Sequence, residues 1–282
     1  MSATFDMPSI LTEHSHEPAA SAPRASRIAG LVLLSALLMM AALGPVVSGH
    51  DAISQQLDQV RQAPSATHWL GTDHLGRDQF TRVAMALRVS LVGGLLTVLV
   101  AAALGAGLGL LAAWRQGWTE RMAVVLADCA MALPGLLLVL LIAAIAPGSF
   151  SALYLGLAAT LWVEHFRLVR VMSRRVLASP AVEAARLLGF GPRYIIRTHL
   201  LPALLPMLTT VVCFGVANAV LALAALGLVG VGLQPPTAEL GVMLIDLMPY
   251  YREAPWLIAS PMACLVLLLA GLVLLAGNKV AP

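Results

Sequence analysis

Five stretches of this chain, at 28–47, 89–113, 122–146, 203–233 and 256–276, are apolar almost without interruption, and Asp128 is the one charged residue in any of them. A helix needs about 20 apolar residues to cross the hydrocarbon core of a bilayer. Inside lipid its backbone groups must find partners within the helix, which leaves few other folds open to such stretches. A sixth stretch, 150–171, begins apolar and ends among Glu164, His165, Arg167 and Arg170, whose long basic stems reach back to the interface. Charged residues make up only 11% of the chain, where a soluble globular protein carries roughly a quarter. That shortage of polar surface excludes a water-soluble enzyme, a nucleic-acid-binding domain or a disordered protein as a description of the whole. The expected fold is an all-α polytopic membrane protein with about six transmembrane helices.

Basic residues collect on the cytoplasmic side of a membrane. With the N-terminus inside, 12 of the 17 Lys and Arg residues fall on inside segments. The outside segments hold the other five and much of the acid, including Asp51, Asp58, Asp73, Asp78, Glu239, Asp246 and Glu253. Both termini are therefore expected in the cytoplasm. The expected organisation is a cytoplasmic tail (1–27), an anchor helix (28–47), an outside segment (48–88), a five-span core (89–276) and a short cytoplasmic tail (277–282). The leader is too acidic for a clean signal peptide, so the first span is expected to be retained.

Lys279 is the only lysine. A P-loop needs a lysine after its glycine-rich turn to reach the phosphates, so the chain carries no such nucleotide site of its own. Cys129, Cys213 and Cys264 lie in apolar stretches without disulfide or metal-ligand spacing. They read as small hydrophobes.

Three polar segments are too long or too patterned to be plain connectors, one of them the outside loop Gln234–Pro255 with Pro235, Pro236 and Glu239. The outside segment contains His68-Trp69-Leu70-Gly71-Thr72-Asp73-His74-Leu75-Gly76-Arg77-Asp78, in which the glycines break helix and Asp73 or Asp78 can cap the next helix. The inside loop, about 172–202, contains Glu183-Ala184-Ala185-Arg186-Leu187-Leu188-Gly189, with Pro202 expected to mark re-entry into the membrane. Small Ala184 and Ala185 would let another backbone approach closely, and Gly189 permits a sharp turn. Such a helix suits a groove on a cytoplasmic partner. Charge and glycine suit a solvated interhelical loop equally well.

The spacing Glu183-Ala184-Ala185, three residues, Gly189, then Leu201-Pro202 resembles the EAA loop of bacterial ABC importer permeases, with His199 where that pattern has isoleucine. The outside stretch His68–Arg82 independently resembles the second permease subunit of the peptide/nickel branch, where an "LGTDxLGRD" segment precedes the second span. The resemblance runs from Arg24 to Ala276. It implies the type I permease fold in a bacterial inner membrane, with Glu183–Gly189 as a coupling helix. It also implies a second permease, two ATP-binding subunits that hold the ATP, and an extracytoplasmic solute-binding protein. Neither a catalytic site nor a cofactor of its own is implied. One departure is that 275–282 lacks the polar N-L-x-G-D-x-L-R-D ending of family members, so partner contacts at that face are expected to be weaker or redistributed.

Within that branch the two outside segments, 67–78 and 236–246, look closest to nickel-type permeases. Nickel or a metal chelate is therefore the expected cargo, and di- or oligopeptides are the alternative. A secondary transporter working without ATPases is more distant, because it needs polar residues near the midplane of several spans. Only Asp128 and Asn218 come close. Asp128 could serve the pathway or pair with Arg121 near the cytoplasmic end, and Asn218 could bond a neighbouring helix or contact solute. Gly105, Gly107, Gly109, Gly227, Gly230 and Gly232 read as packing positions. Arg167–Arg175 could steer docking or simply set topology. His14 and His16 in the leader could bind a metal weakly or be incidental, and no metal site is expected.

Overall fold

The computed structural model describes residues 24–146, 149–234 and 236–276. His14, His16, Lys279 and the 277–282 tail lie outside them. The described chain is almost wholly helical. Helix α1 is Arg24–Ser48, α2 Gln79–Arg115, α3 Gly117–Met131, α4 Gly135–Ile145 and α5 Phe150–Leu177. Then come α6 Pro180–Leu187, α7 Pro192–Ile195, α8 Leu201–Leu228, α9 Leu240–Leu247 and α10 Pro255–Ala276.

Four runs are long and apolar enough to cross a membrane: α1, α2, the continuous run Pro192–Leu228, and α10. The third expected span, 122–146, is not one helix. Pro134 has no N–H to continue the ladder and disfavours helical geometry at Leu133. The chain therefore breaks into α3 and α4, bent by 77°, and counted as one span this pair makes a fifth. Helix α5 has the length at 28 residues, but its second half mixes Glu164 with four arginines. The span expected at 203–233 starts earlier and stops sooner. It enters at Pro192, passes through a π-helical turn at Ile196–Leu200, and ends at Leu228. Pro202, which lacks an N–H, comes two residues after Leu200, the last of that turn. It lies inside the helical run and does not open it.

Helix α2 is the organising rod. It runs the full height of the bundle and packs most widely on α5. Gly105 and Gly109 permit this. A methyl on Gly105 would stand 2.3 Å from the Trp162 carbonyl oxygen, and one on Gly109 would stand 2.7 Å from that of Phe166. Gly107, between them, faces open space. Helix α1 packs on α10 and α2.

Two faces close the bundle. One carries α6. The other, the cap face, carries residues 49–78 and the α9 segment. There Asp73 accepts from the main-chain N–H groups of Leu75 and Arg77 at 2.8 and 2.9 Å, and from Arg77 Nε at 2.7 Å. Arg82 Nε lies 3.3 Å from the same carboxylate. Gly76 turns beside it at φ +73°, and a methyl there would stand 1.8 Å from the Gln56 carbonyl oxygen. His74 stacks on Tyr250, and Arg61 pairs with Glu253. The cap thus joins the start of α2 to the start of α10.

Candidate functional site

Helix α6 is an amphipathic shelf. Pro180 occupies its first turn, where a missing N–H costs nothing. Val182 and Ala185 are 0% and 4% exposed, and Val182 buries into a cluster with Val169, Leu177, Ile195 and Leu200. The helix ends in a Schellman motif. Gly189 N–H donates to the Arg186 carbonyl at 3.0 Å, Phe190 N–H reaches back to Ala185 at 3.0 Å, and Gly189 takes φ +82°. That stop presents Glu183, Ala184, Leu187 and Leu188 outward, with the two leucines 85% and 76% exposed. Phe190 stacks on Tyr194 at 4.2 Å beside them. The four predicted residues therefore lie on α6 or just beyond its end, but they divide. Glu183, Ala184 and Gly189 face out, whereas Ala185 is spent on the chain's own core and is not available to a partner backbone.

The basic cluster on α5 is largely neutralised from within. Arg167 donates to Asp128 at 2.7 Å, while Arg170 and Arg174 both donate to Glu120 at 2.7 and 2.8 Å. Asp128 therefore pairs with Arg167 across α3 and α5, and not with Arg121. It sits on the outer surface of the chain, as does Asn218 on α8. Asn218 is not buried between helices of this chain, so the expected bond within the bundle is not what holds it.

On the cap face the sequence reading missed Glu239. Counted there as a loop acid, it is 1% exposed. It caps α9 by accepting from Gly241 and Val242 N–H at 2.9 and 3.0 Å, and from Ser90 Oγ of α2 at 3.2 Å. Burial pushes its carboxyl up from the ordinary carboxylate value, against those hydrogen bonds, which favour the ionised form. An acid next to a helix-starting Leu-Gly pair was the available signal. Asp78 does cap α2, accepting from Thr81 N–H at 2.8 Å. Gly227 and Gly232 are packing positions, as expected. Gly227 lies against the start of α9, and Gly230 instead takes φ +79° to end α8.

Residues 105–280 match the family described as binding-protein-dependent transport system inner membrane component. The chain is 32% identical over 244 residues to a dipeptide transport system permease protein of Alkalihalophilus pseudofirmus, covering 86% of this chain and 80% of that one. It is 32% identical over 245 residues to a probable D,D-dipeptide transport system permease protein of Escherichia coli, covering 86% and 82%. A glutathione transport system permease protein of Pectobacterium atrosepticum is 34% identical over 187 residues, covering 66% and 62%. With a family match over more than half its length and several apolar helices, the chain belongs to the binding-protein-dependent inner membrane components, as a multi-pass ABC importer permease of type I fold.

Proposed function

We propose that this permease carries small peptides and is driven through α6 by ATP-binding subunits at the α6 face. The observation that carries the coupling assignment is the geometry of α6: an element anchored by Val182 and Ala185 that still presents Leu187 and Leu188 to solvent. Two exposed leucines beside a stacked aromatic pair form an apolar tip of the kind a partner groove covers. The α6 face is the cytoplasmic one in this reading, since the arginines of 167–197 gather there. Glu183, Ala184 and Gly189 are then the coupling residues. Ala185 holds the helix to the bundle. ATP must favour one conformer over the other, since equal affinity for both shifts nothing.

A second permease and an extracytoplasmic binding protein complete the importer. Asn218, outward on α8, is the better pathway candidate, facing the second permease. Asp128, paired with Arg167, ties α3 to α5. What supports peptides over the nickel or metal chelate expected from the outside segments is that the permease's relatives are named for dipeptides, D,D-dipeptides and glutathione.

Uptake of labelled dipeptide and of nickel, in cells lacking the gene and complemented with it, tests the cargo. Gene-dependent dipeptide uptake is expected. Nickel uptake alone would overturn the peptide reading. Leu187→Glu is expected to leave the permease in the membrane but strip the ATP-binding subunits during copurification. Retention of those subunits with full uptake would refute the coupling role.

A further inference from the structure

We propose that His50, His68 and Asp78 bind a single divalent transition-metal ion that pins the end of α1 to the start of α2. The three come from separate parts of the chain. His50 lies just beyond α1, Gly49 turning the backbone towards it at φ +69°. His68 sits in the cap loop, and Asp78 is the N-cap of α2. Their ligand atoms nevertheless lie within 4.8 Å of one another. Ions held at about 2.1 Å by nitrogen or oxygen set tetrahedral ligands about 3.4 Å apart. Closing the difference needs only a small swing of the His50 ring, which is half-buried next to a cavity of about 300 Å³.

The hydrogen-bond inventory favours a cation at this point. His68 and Asp78 are 6% and 4% exposed. His68 Nε2 lies 3.1 Å from Gln59 Oε1, and its Nδ1 lies 2.9 Å from Asp78 Oδ1. The tautomer with its hydrogen on Nε2 gives that hydrogen to Gln59 and turns the Nδ1 lone pair to the carboxylate, the pair of donors a cation takes. His50 Nδ1 is a third acceptor-capable atom in the cluster, buried and without a hydrogen-bond partner. A proton shared by His68 and Asp78 leaves His50 unaccounted for, whereas one metal ion satisfies all three.

The roles divide cleanly on Asp78. Its Oδ2 accepts from Thr81 N–H and Oγ1 at 2.8 and 2.6 Å, which leaves Oδ1 for the ion. Gln59 holds the His68 ring in the tautomer a ligand needs. Two imidazoles and one carboxylate select zinc, nickel, copper or cobalt over magnesium and calcium, which prefer oxygen. The cavity, lined also by Thr67, Trp69 and Phe80, leaves room for water as a further ligand. The same corner is already tied by a contact of 2.8 Å between Thr81 Oγ1 and Ser48 Oγ. The ion is resident, and the inference does not depend on which solute the permease carries.

The test uses the full-length protein, purified in detergent without a polyhistidine tag and stripped with chelator. Cobalt(II) is titrated and followed by its ligand-field absorption, with zinc in competition and bound metal counted by elemental analysis. One equivalent per chain is expected, with an upward shift in melting temperature. His50→Gln removes a ring whose Nδ1 has no hydrogen-bond partner, so the metal-free fold should lose only the ring's contact with His68 while cobalt affinity falls at least tenfold. His68→Gln should abolish the absorption. His14→Ala/His16→Ala should leave it intact. Absence of stoichiometric binding, binding that survives His50→Gln, or binding lost only with the leader histidines would each overturn the proposal.

Discussion

Arg88 of α2 donates from Nε to the main-chain oxygen of Ala41 in α1 at 2.9 Å, and that oxygen is the one Pro45 leaves without a helical donor. Proline at i removes the N–H that would bond the carbonyl at i−4. The same device recurs at the other neighbour of α2. Pro261 frees the carbonyl of Leu257 in α10, and Gln79 Nε2 of α2 donates to it at 2.9 Å. In a bilayer an unpaired carbonyl finds no water. The polar N-terminal third of α2 thus seals a proline break in each of two adjoining helices, and this locks α1 and α10 against it.

Arg88→Ala is expected to destabilise the chain by about 1–2 kcal/mol, the cost of leaving a carbonyl unsatisfied. In a Pro45→Ala background the helix regains its own donor, so the same substitution should cost less than half as much. A double-mutant cycle on thermal unfolding in detergent measures this coupling. Equal costs in both backgrounds would show that Arg88 does not serve the proline break.

Gly105→Ala and Gly107→Ala should part company. At Gly105 the added methyl meets the Trp162 backbone. Helix α5 must then move away from α2, with a loss of about 2 kcal/mol or more from overpacking. At Gly107 nothing stands within 4 Å, and alanine's helix propensity predicts a neutral or mildly stabilising change, up to about 1 kcal/mol. Melting temperatures of the two variants decide it. A tolerated Gly105→Ala would show that α2 and α5 can separate at little cost.

Ala184→Glu and Ala185→Glu differ by one position and should fail differently. Ala185 is buried under the bundle, so a carboxylate there should cost at least about 2 kcal/mol and lower the amount of folded permease. Ala184 faces outward, and its variant should accumulate and melt normally while uptake falls. Comparison of membrane abundance with transport rate separates the two.

The cap face should loosen in mild acid. Burial lowers the pKa of His74 from its ordinary 6.5, reinforced by Arg77 and Arg82 and opposed by Asp73 and Asp246. The folded state therefore resists a proton that the unfolded chain accepts. Stability from this group is fully present above about pH 6.5 and is lost as pH falls through that value towards the lowered folded pKa. His74→Phe keeps a ring against Tyr250 and removes the titration. Melting curves across about pH 5 to 8 should show an acid-side decline in the parent that is shallower in the variant. Identical slopes would place the pH sensitivity elsewhere.

Much of this molecule is dictated by the order of its residues. The apolar runs place α1, α2, α8 and α10, because burial of side chains in lipid depends on composition along a stretch and on little else. Asp78, as one of two candidate caps with Asp73, and Gly189, as a sharp turn, were readable because each acts on backbone within a few residues of itself. The family is also legible in the sequence, through the spacing around Glu183 and Asp73. The tertiary structure alone decided the rest. Hydropathy ran straight through Pro134 because it measures polarity and carries no direction, so the 77° bend was invisible to it. Ala184 and Ala185 look alike until α6 lies on its cluster. Asp128 found Arg167, Gln79 found Leu257 and His50 came to rest beside His68 through approaches between residues distant in sequence. Hydrogen bonds and ion pairs act over about 3 Å, and only the packed bundle sets which groups come that close.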